Sequence, residues 1–217
     1  MAEPLDAAVT RAPGRTLHLV RVIRTGGPFK ADITRVILDG VPAVLKDFSA
    51  KPWAARLLGR RQVAREWRAL ERLRGVPGVP ACHGAIHGGL ALLLERMDGE
   101  RITRFCQEHP DRIAPMFARL ERLVALLHER GVVHNDLRKR DNILVAPDGT
   151  PCVIDFNASF CLRPDRGPGR WLLGVLRRVD EGAILKWKAR LAPALLSAVE
   201  ARRHRLMTRL RRLWFFN

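Results

Sequence analysis

Apolar residues along this chain alternate or cluster in short runs first and recur with helical spacing later. LHLVRVI (17–23) and ITRVILDGVPAVLKDF (33–48) have the pattern of strands, and Asp39-Gly40 supplies a turn between the last two. An antiparallel sheet is therefore expected to begin here. The period then changes. Val63, Trp67, Leu70 and Leu73 fall on one face of a helix predicted over 62–74, which Gly75 and the segment GVPGVP end. Short strands are predicted at 81–86 and 90–94.

The charged, glycine-containing segment ERMDGE (95–100) interrupts the apolar runs, and a boundary is placed near Met97. Beyond it Ile113, Met116, Phe117, Leu120, Leu123, Val124 and Leu127 repeat at three- and four-residue spacing, predicting an amphipathic helix that stops at Gly131. ILV and CVI then flank the turn sequence APDGTP, which predicts a hairpin. The stretch from Trp171 to Asn217 reads as helical, with breaks near Gly182 and Pro193. The expected organisation is a flexible tail over 1–16, a stranded lobe over 17–97 and a mostly helical lobe over 98–217, together one domain.

Composition agrees with a folded chain. Its 217 residues are 47% hydrophobic and 28% charged, which excludes a disordered polymer and suffices for a substantial core. Charge adds a second constraint: 39 Lys and Arg against 22 Asp and Glu give +17, a field that attracts nucleotides, nucleic acids and anionic membrane surfaces alike. Cys82, Cys106, Cys152 and Cys161 lack CxxC spacing and read as packed thiols. With no apolar leader and no run of transmembrane length, the expected location is cytoplasmic.

The hairpin concentrates the chemistry. If its turn is centred between Asp148 and Gly149, paired residue numbers sum to 297 and Asn142 faces Asp155. An amide and a carboxylate at the open end of a ribbon suit a hard cation such as Mg²⁺. A one-residue bulge in the turn would shift this pairing. Asp136 lies on the loop after the long helix, close enough in sequence to share that mouth. Phosphoryl transfer needs cations on the phosphates, a carboxylate for the acceptor hydroxyl and a positive side chain at the nucleotide. Lys46, ending VPAVLK, is a candidate for the last.

These segments resemble the signature elements of protein kinases. HNDLRKRDN is similar to the catalytic loop, IDFN to the metal-binding DFG segment, and AVLK to the VAIK strand, in the same order. The resemblance implies an α+β, two-lobed protein-kinase-like fold, with an antiparallel sheet and one helix in the N-lobe and a small helical C-lobe without an extended activation segment. It implies ATP and Mg²⁺ or Mn²⁺ as cofactors, Asp136 as catalytic base, Asn142 and Asp155 as metal ligands, and Lys46 on the α- and β-phosphates. The Lys46 partner is then expected on the following helix, where Glu66 lies in the apolar arc and Glu71 at its border. His134 reads as a brace for the loop.

Four departures accompany the likeness. Asn142 is sixth after Asp136 where the kinase pattern has Asn fifth, so Asp141 is an alternative ligand. Asn157 replaces the glycine of DFG, and Asn tolerates the left-handed backbone. Gly26 and Gly27 alone represent the glycine-rich phosphate loop. No APE segment follows. The small size resembles the bacterial lipopolysaccharide kinases that act on Kdo or heptose sugars, and the RIO-type atypical protein kinases, over residues 17 to 190.

The C-terminal EARRHRLMTRLRRLWFFN puts Leu206, Leu210, Leu213 and Trp214 on one side and Arg202, Arg205, Arg209 and Arg212 over the rest, followed by Phe215 and Phe216. Such a helix suits either packing on its own lobe or peripheral contact with the inner membrane. Together with the net charge it favours an anionic glycolipid sugar as acceptor. The alternatives are a RIO-like serine/threonine kinase acting on protein and a non-catalytic nucleotide- or membrane-binding module. No helix-turn-helix, zinc or stacking motif accompanies the charge, so specific nucleic-acid recognition is not expected.

Overall fold

The computed structural model describes residues 9–12, 15–162 and 167–214. They form two compact units, one of residues up to Met97 together with Asp155–Ala158, the other of Asp98–Ile154 and Ser159 onward.

The first unit is a six-stranded sheet with one helix. Strands β1 (Val9–Ala12), β2 (Arg15–Arg24), β3 (Asp32–Leu38) and β4 (Val41–Asp47) precede helix α1 (Trp53–Arg72), and β5 (Cys82–Ile86) and β6 (Ala91–Glu95) follow it. The order is β1-β2-β3-β4-β6-β5, with every pair antiparallel. β1 pairs Val9 with His18, so part of the expected tail is strand. Asp39 and Gly40 both take positive φ, 48° and 84°, the turn that Asp-Gly favours between twisted strands. Strand alternation divides the sheet's side chains between its faces. Leu17, Val36, Leu38, Ala43, Leu45, Ala91 and Leu93 cluster on one face, and the intervening Lys46 points to the other.

α1 begins at Trp53, well before the expected residue 62. Its early buried positions are Ala55 and Gly59, whose small size gave no hydrophobic period to read. A Cβ on Gly59 would lie 2.5 Å from the Phe48 ring, so glycine there permits the helix's close approach. Farther along, Val63, Glu66, Ala69 and Leu70 are buried, whereas Trp67, expected on the same face, is partly exposed.

In the second unit, β7 (Glu100–Arg101) leads into α2 (Ile102–Glu108) and the long α3 (Ile113–Glu129). Met116, Phe117, Leu120, Leu123, Val124 and Leu127 form the buried stripe of α3, and Gly131 ends it with φ 70° and an N–H to His128 O. Short strands β8 (Val132–Val133), β9 (Ile143–Val145), β10 (Pro151–Val153) and β11 (Phe160–Cys161) follow, then α4 (Gly167–Leu191) and α5 (Ala198–Trp214).

The β9–β10 hairpin corrects the expected register. Val145 pairs with Pro151 and Ile143 with Val153, so Ile154, one residue before Asp155, comes opposite Asn142 and donates its N–H to Asn142 O at 3.0 Å. The cause lies in the turn. Gly149 N–H closes on Ala146 O at 2.8 Å while Gly149 itself takes φ 81°, making a three-residue loop with a left-handed glycine in place of a symmetric two-residue turn. Arg112 and Arg119 donate to the Pro147 and Asp148 carbonyls and hold that turn.

α4 also runs unbroken through Gly182, where a break was expected. Gly182, Ala183, Ile184 and Leu185 are buried, and packing outweighs the roughly 1 kcal/mol that a mid-helix glycine costs. Leu206 on α5 is exposed, while the expected apolar face at Leu210, Leu213, Trp214, Phe215 and Phe216 lies outside the described side chains. Among the described residues no helix is long and apolar enough to cross a membrane. All four cysteines are free thiols, and burial pushes Cys106 up to about 11.

Candidate active site

Lys46 leaves the sheet face opposite the apolar cluster and meets two carboxylates. Its Nζ donates to Glu66 Oε1 at 2.6 Å and to Asp155 Oδ1 at 2.9 Å. Glu66 Oε1 also accepts the Phe156 N–H at 3.2 Å, so this one carboxylate ties α1 to both Lys46 and the segment after Asp155. The Glu66 side chain is 4% exposed and that of Asp155 30%. Burial pulls the Lys46 pKa down, but the charges of Glu66 and Asp155 more than offset it and leave the ammonium above its ordinary value. Burial dominates at Glu66 and raises its pKa despite Lys46. An ammonium has three N–H donors; two are used here, leaving one for an anionic ligand.

Glu71, the other candidate partner, is instead exposed and paired with Arg74 in the turn that follows the helix. Asp155 takes φ 69°, a left-handed conformation uncommon for a residue with a side chain. The left-handed position was expected at Asn157, which lies in the 3₁₀ turn Phe156–Ala158 instead. Strain of this kind persists where surrounding bonds hold it, here the bond from Phe156 N–H to Glu66.

In the second unit, the loop from His134 to Asn142 is built around Asp136. Asn142 is buried and its Nδ2 donates to Asp136 O at 3.0 Å and Oδ2 at 3.2 Å. Lys139 Nζ reaches the same Oδ2 at 2.5 Å. Asp141 points elsewhere: it is exposed and bonded to Arg101 at 2.6 Å. The extra residue of this loop is thereby absorbed in the turn Arg140–Asn142, with Asn142 N–H closing on Lys139 O.

His134 has no exposed surface. Its Nδ1 accepts the Asp136 N–H at 3.3 Å, so Nε2 carries the proton and donates to Ile154 O at 3.0 Å. The imidazole is thus a neutral brace between loop and hairpin.

Sequence reasoning missed the loop's main anchor. Asp180 of α4 is fully buried and accepts the N–H groups of His134 and Asn135, each at 2.8 Å, with His128 Nε2 at 3.0 Å. Trp187 Nε1 and Lys186 Nζ of the same helix donate to the Leu137 and Arg138 carbonyls at 2.9 and 3.0 Å. A readable sign existed: in α4, Asp180 lies three residues before the apolar run Ala183–Leu185.

The glycine loop is less open than expected. Gly26 N–H donates to Asp32 Oδ1 at 2.8 Å, and Lys51 bonds both that oxygen and Gly26 O. A Cβ at Gly26 would come within 2.3 Å of Lys30 O, so this glycine permits a tight turn. Its amide is not available to a phosphate. Gly27 O accepts the Lys30 N–H in the same turn.

Both units together make an α+β, protein-kinase-like fold. The sequence profile of the Lipopolysaccharide kinase (Kdo/WaaP) family matches residues 43–172, a span containing Lys46, Glu66, Asp136, Asn142 and Asp155. The chain belongs to that family. Among curated proteins it is 35% identical over 173 residues to a Probable SapB synthase of Streptomyces coelicolor, an alignment covering 70% of this chain and 18% of that much longer protein. Among solved structures it resembles the Rio2 kinase of Chaetomium thermophilum, crystallised as an ADP/Mg²⁺-phosphoaspartate complex, with TM-score 0.59 and 20% identity over 83% of this chain and 58% of that one. The latter likeness concerns the fold.

Proposed function

We propose that this protein is an ATP-dependent phosphotransferase that moves the γ-phosphate to a hydroxyl of a lipopolysaccharide or related glycolipid sugar at the inner face of a membrane. The observation that carries the reading is the triangle of Lys46, Glu66 and Asp155, a partly buried ammonium held by two carboxylates with one donor to spare. Membership of the lipopolysaccharide kinase family and the +17 charge support the anionic acceptor.

In this reading Lys46 holds the α- and β-phosphates, and Glu66 fixes its position. Asp136 Oδ2 orients the acceptor hydroxyl and takes its proton; Lys139 and Asn142, bonded to that oxygen, hold the carboxylate in position until the acceptor arrives. Asp155 in the first unit and Asn142 in the second each offer hard oxygen, the donor chemistry that magnesium takes. Magnesium, when bound, offsets charge on the phosphates. Asp180 keeps the backbone under Asp136 in place.

The test is to incubate the purified protein with radiolabelled ATP and a cell-envelope extract. Label is expected to migrate with glycolipid and to need Lys46 and Asp136. Label only in protein would replace the sugar acceptor with a serine or threonine, and nucleotide binding without transfer to any component would refute the enzyme reading.

A further inference from the structure

The first half of α1 carries residues that its own unit does not use. Trp53, Leu57 and Leu58 are 80%, 53% and 44% exposed, while Ala55, Gly59 and Val63 supply the buried side. Helical spacing places Trp53, Leu57 and Ala64 along one outward strip with Arg60 and Arg61 beside it, and Arg56 and Arg65 at its borders. The helix's first acidic residue is Glu66, which is buried against Lys46. Nothing on this strip neutralises the arginines: among the described residues Arg56, Arg60 and Arg61 make no ion pair or side-chain hydrogen bond.

The free chain bears two costs here. Apolar area stays in water, and Arg56 sits in the first turn, where the helix dipole disfavours positive charge and no acidic residue compensates, with Arg60 and Arg61 adding like charge one turn on. One kind of partner removes both costs at once. The interface of an anionic bilayer accepts Trp and Leu side chains below its headgroups and presents phosphates to arginines at their level. A nucleic acid would satisfy the arginines and stack on Trp53 but leave Leu57 without a partner.

We propose that the Trp53–Arg61 face of α1 is a membrane-docking surface specific for anionic phospholipid. This surface lies in the first unit, away in sequence from the C-terminal helix, and it does not depend on which acceptor the protein phosphorylates.

The test is flotation of the full chain with vesicles of phosphatidylcholine alone or with one-third phosphatidylglycerol, without ATP or any sugar acceptor, so its outcome is separate from that of the transfer assay. The wild type is expected to float with the anionic vesicles only. Replacing Arg56, Arg60 and Arg61 together by Gln is expected to weaken partition about a hundredfold, from roughly fivefold per arginine. The double variant Trp53→Ser/Leu57→Ser is expected to abolish flotation, with unchanged melting temperature for both variants because the altered side chains are exposed. Brominated phosphatidylglycerol is expected to quench a fluorescence component that Trp53→Phe lacks. Absence of wild-type flotation overturns the proposal. So does flotation of both variants at the wild-type level, which would move the contact to another surface, or loss only in the arginine variant, which would mean adsorption by charge without insertion.

Discussion

The two charged groupings hold their acidic residues in opposite ways. In the first unit, charge answers charge: Lys46 joins carboxylates 20 and 109 residues away in sequence, one of them buried. In the second, one buried carboxylate, Asp180, answers backbone N–H groups, and the loop it secures presents Asp136 with Asn142 and Lys139 at its oxygen. The first arrangement has its ionic balance as its point of failure, and the second its backbone anchor. Substitutions in the triangle should therefore couple activity to stability, whereas substitutions at Asp136 should separate them.

The largest effect is expected at Asp136. Asp136→Ala should lower transfer by about 10³-fold, as loss of a positioned base does, with the urea midpoint and nucleotide affinity near wild type. Transfer at the wild-type rate would remove Asp136 from the mechanism, and a large drop in midpoint would erase the contrast between the two groupings.

Lys46→Met should lower transfer by less than Asp136→Ala does but also destabilise the fold by about 3 kcal/mol, because breaking a buried pair leaves uncompensated charge. The pH dependence has a definite sign. Glu66 already has a raised pKa from burial, and removing Lys46 removes a charge that lowers it. A carboxyl with a raised folded pKa binds more protons folded than unfolded, so stability grows as pH falls through that pKa towards the ordinary range and is lost as pH rises. The deficit of Lys46→Met should thus shrink as pH falls towards the ordinary carboxyl range and widen as pH rises through the raised Glu66 value in urea titrations. In the wild type the raised Lys46 pKa acts at the other end: its contribution is full below the ordinary lysine value and disappears as pH climbs through the raised one. The double variant Lys46→Met/Glu66→Met should recover stability without recovering activity.

Asp180→Asn probes the other kind of support. An amide keeps one acceptor oxygen but turns an NH₂ towards backbone N–H donors, so the loop should lose about 1–2 kcal/mol of anchoring. Hydrogen exchange at His134 and Asn135 is expected to accelerate, and kcat to fall while KM for ATP stays the same. Unaltered exchange at these amides would show that Trp187 and Lys186 suffice to hold the loop.

The sequence displayed these two groupings unequally. Lys46, Asp136, Asn142 and Asp155 stand in short segments whose residue types announce their chemistry, and the α3 stripe follows a plain helical period. What escaped was decided by tertiary contact or backbone conformation. Asp180 looks like any helical carboxylate until His134 and Asn135 turn their amides towards it. The hairpin register depended on φ at Gly149, and the left-handed position on whether Asp155 or Asn157 would take it. The beginning of α1 was hidden because its packed side consists of Ala55 and Gly59 and its large apolar residues face outward.

The smallest effect tests the longer loop. Asn142 and Asp141 adjoin in sequence, yet one is buried against Asp136 and the other lies on the surface with Arg101. Asp141→Ala should therefore cost no more than the roughly 0–1 kcal/mol of an exposed ion pair and leave the magnesium dependence of transfer unchanged. Asn142→Ala should raise the magnesium concentration needed for half-maximal rate and free the Asp136 carboxylate from its amide partner. The reverse result, a magnesium shift in Asp141→Ala but not in Asn142→Ala, would assign the ligand to the fifth position and make the buried amide only a support for Asp136, a second case within this unit of the division of labour that Asp180 and Asp136 already show.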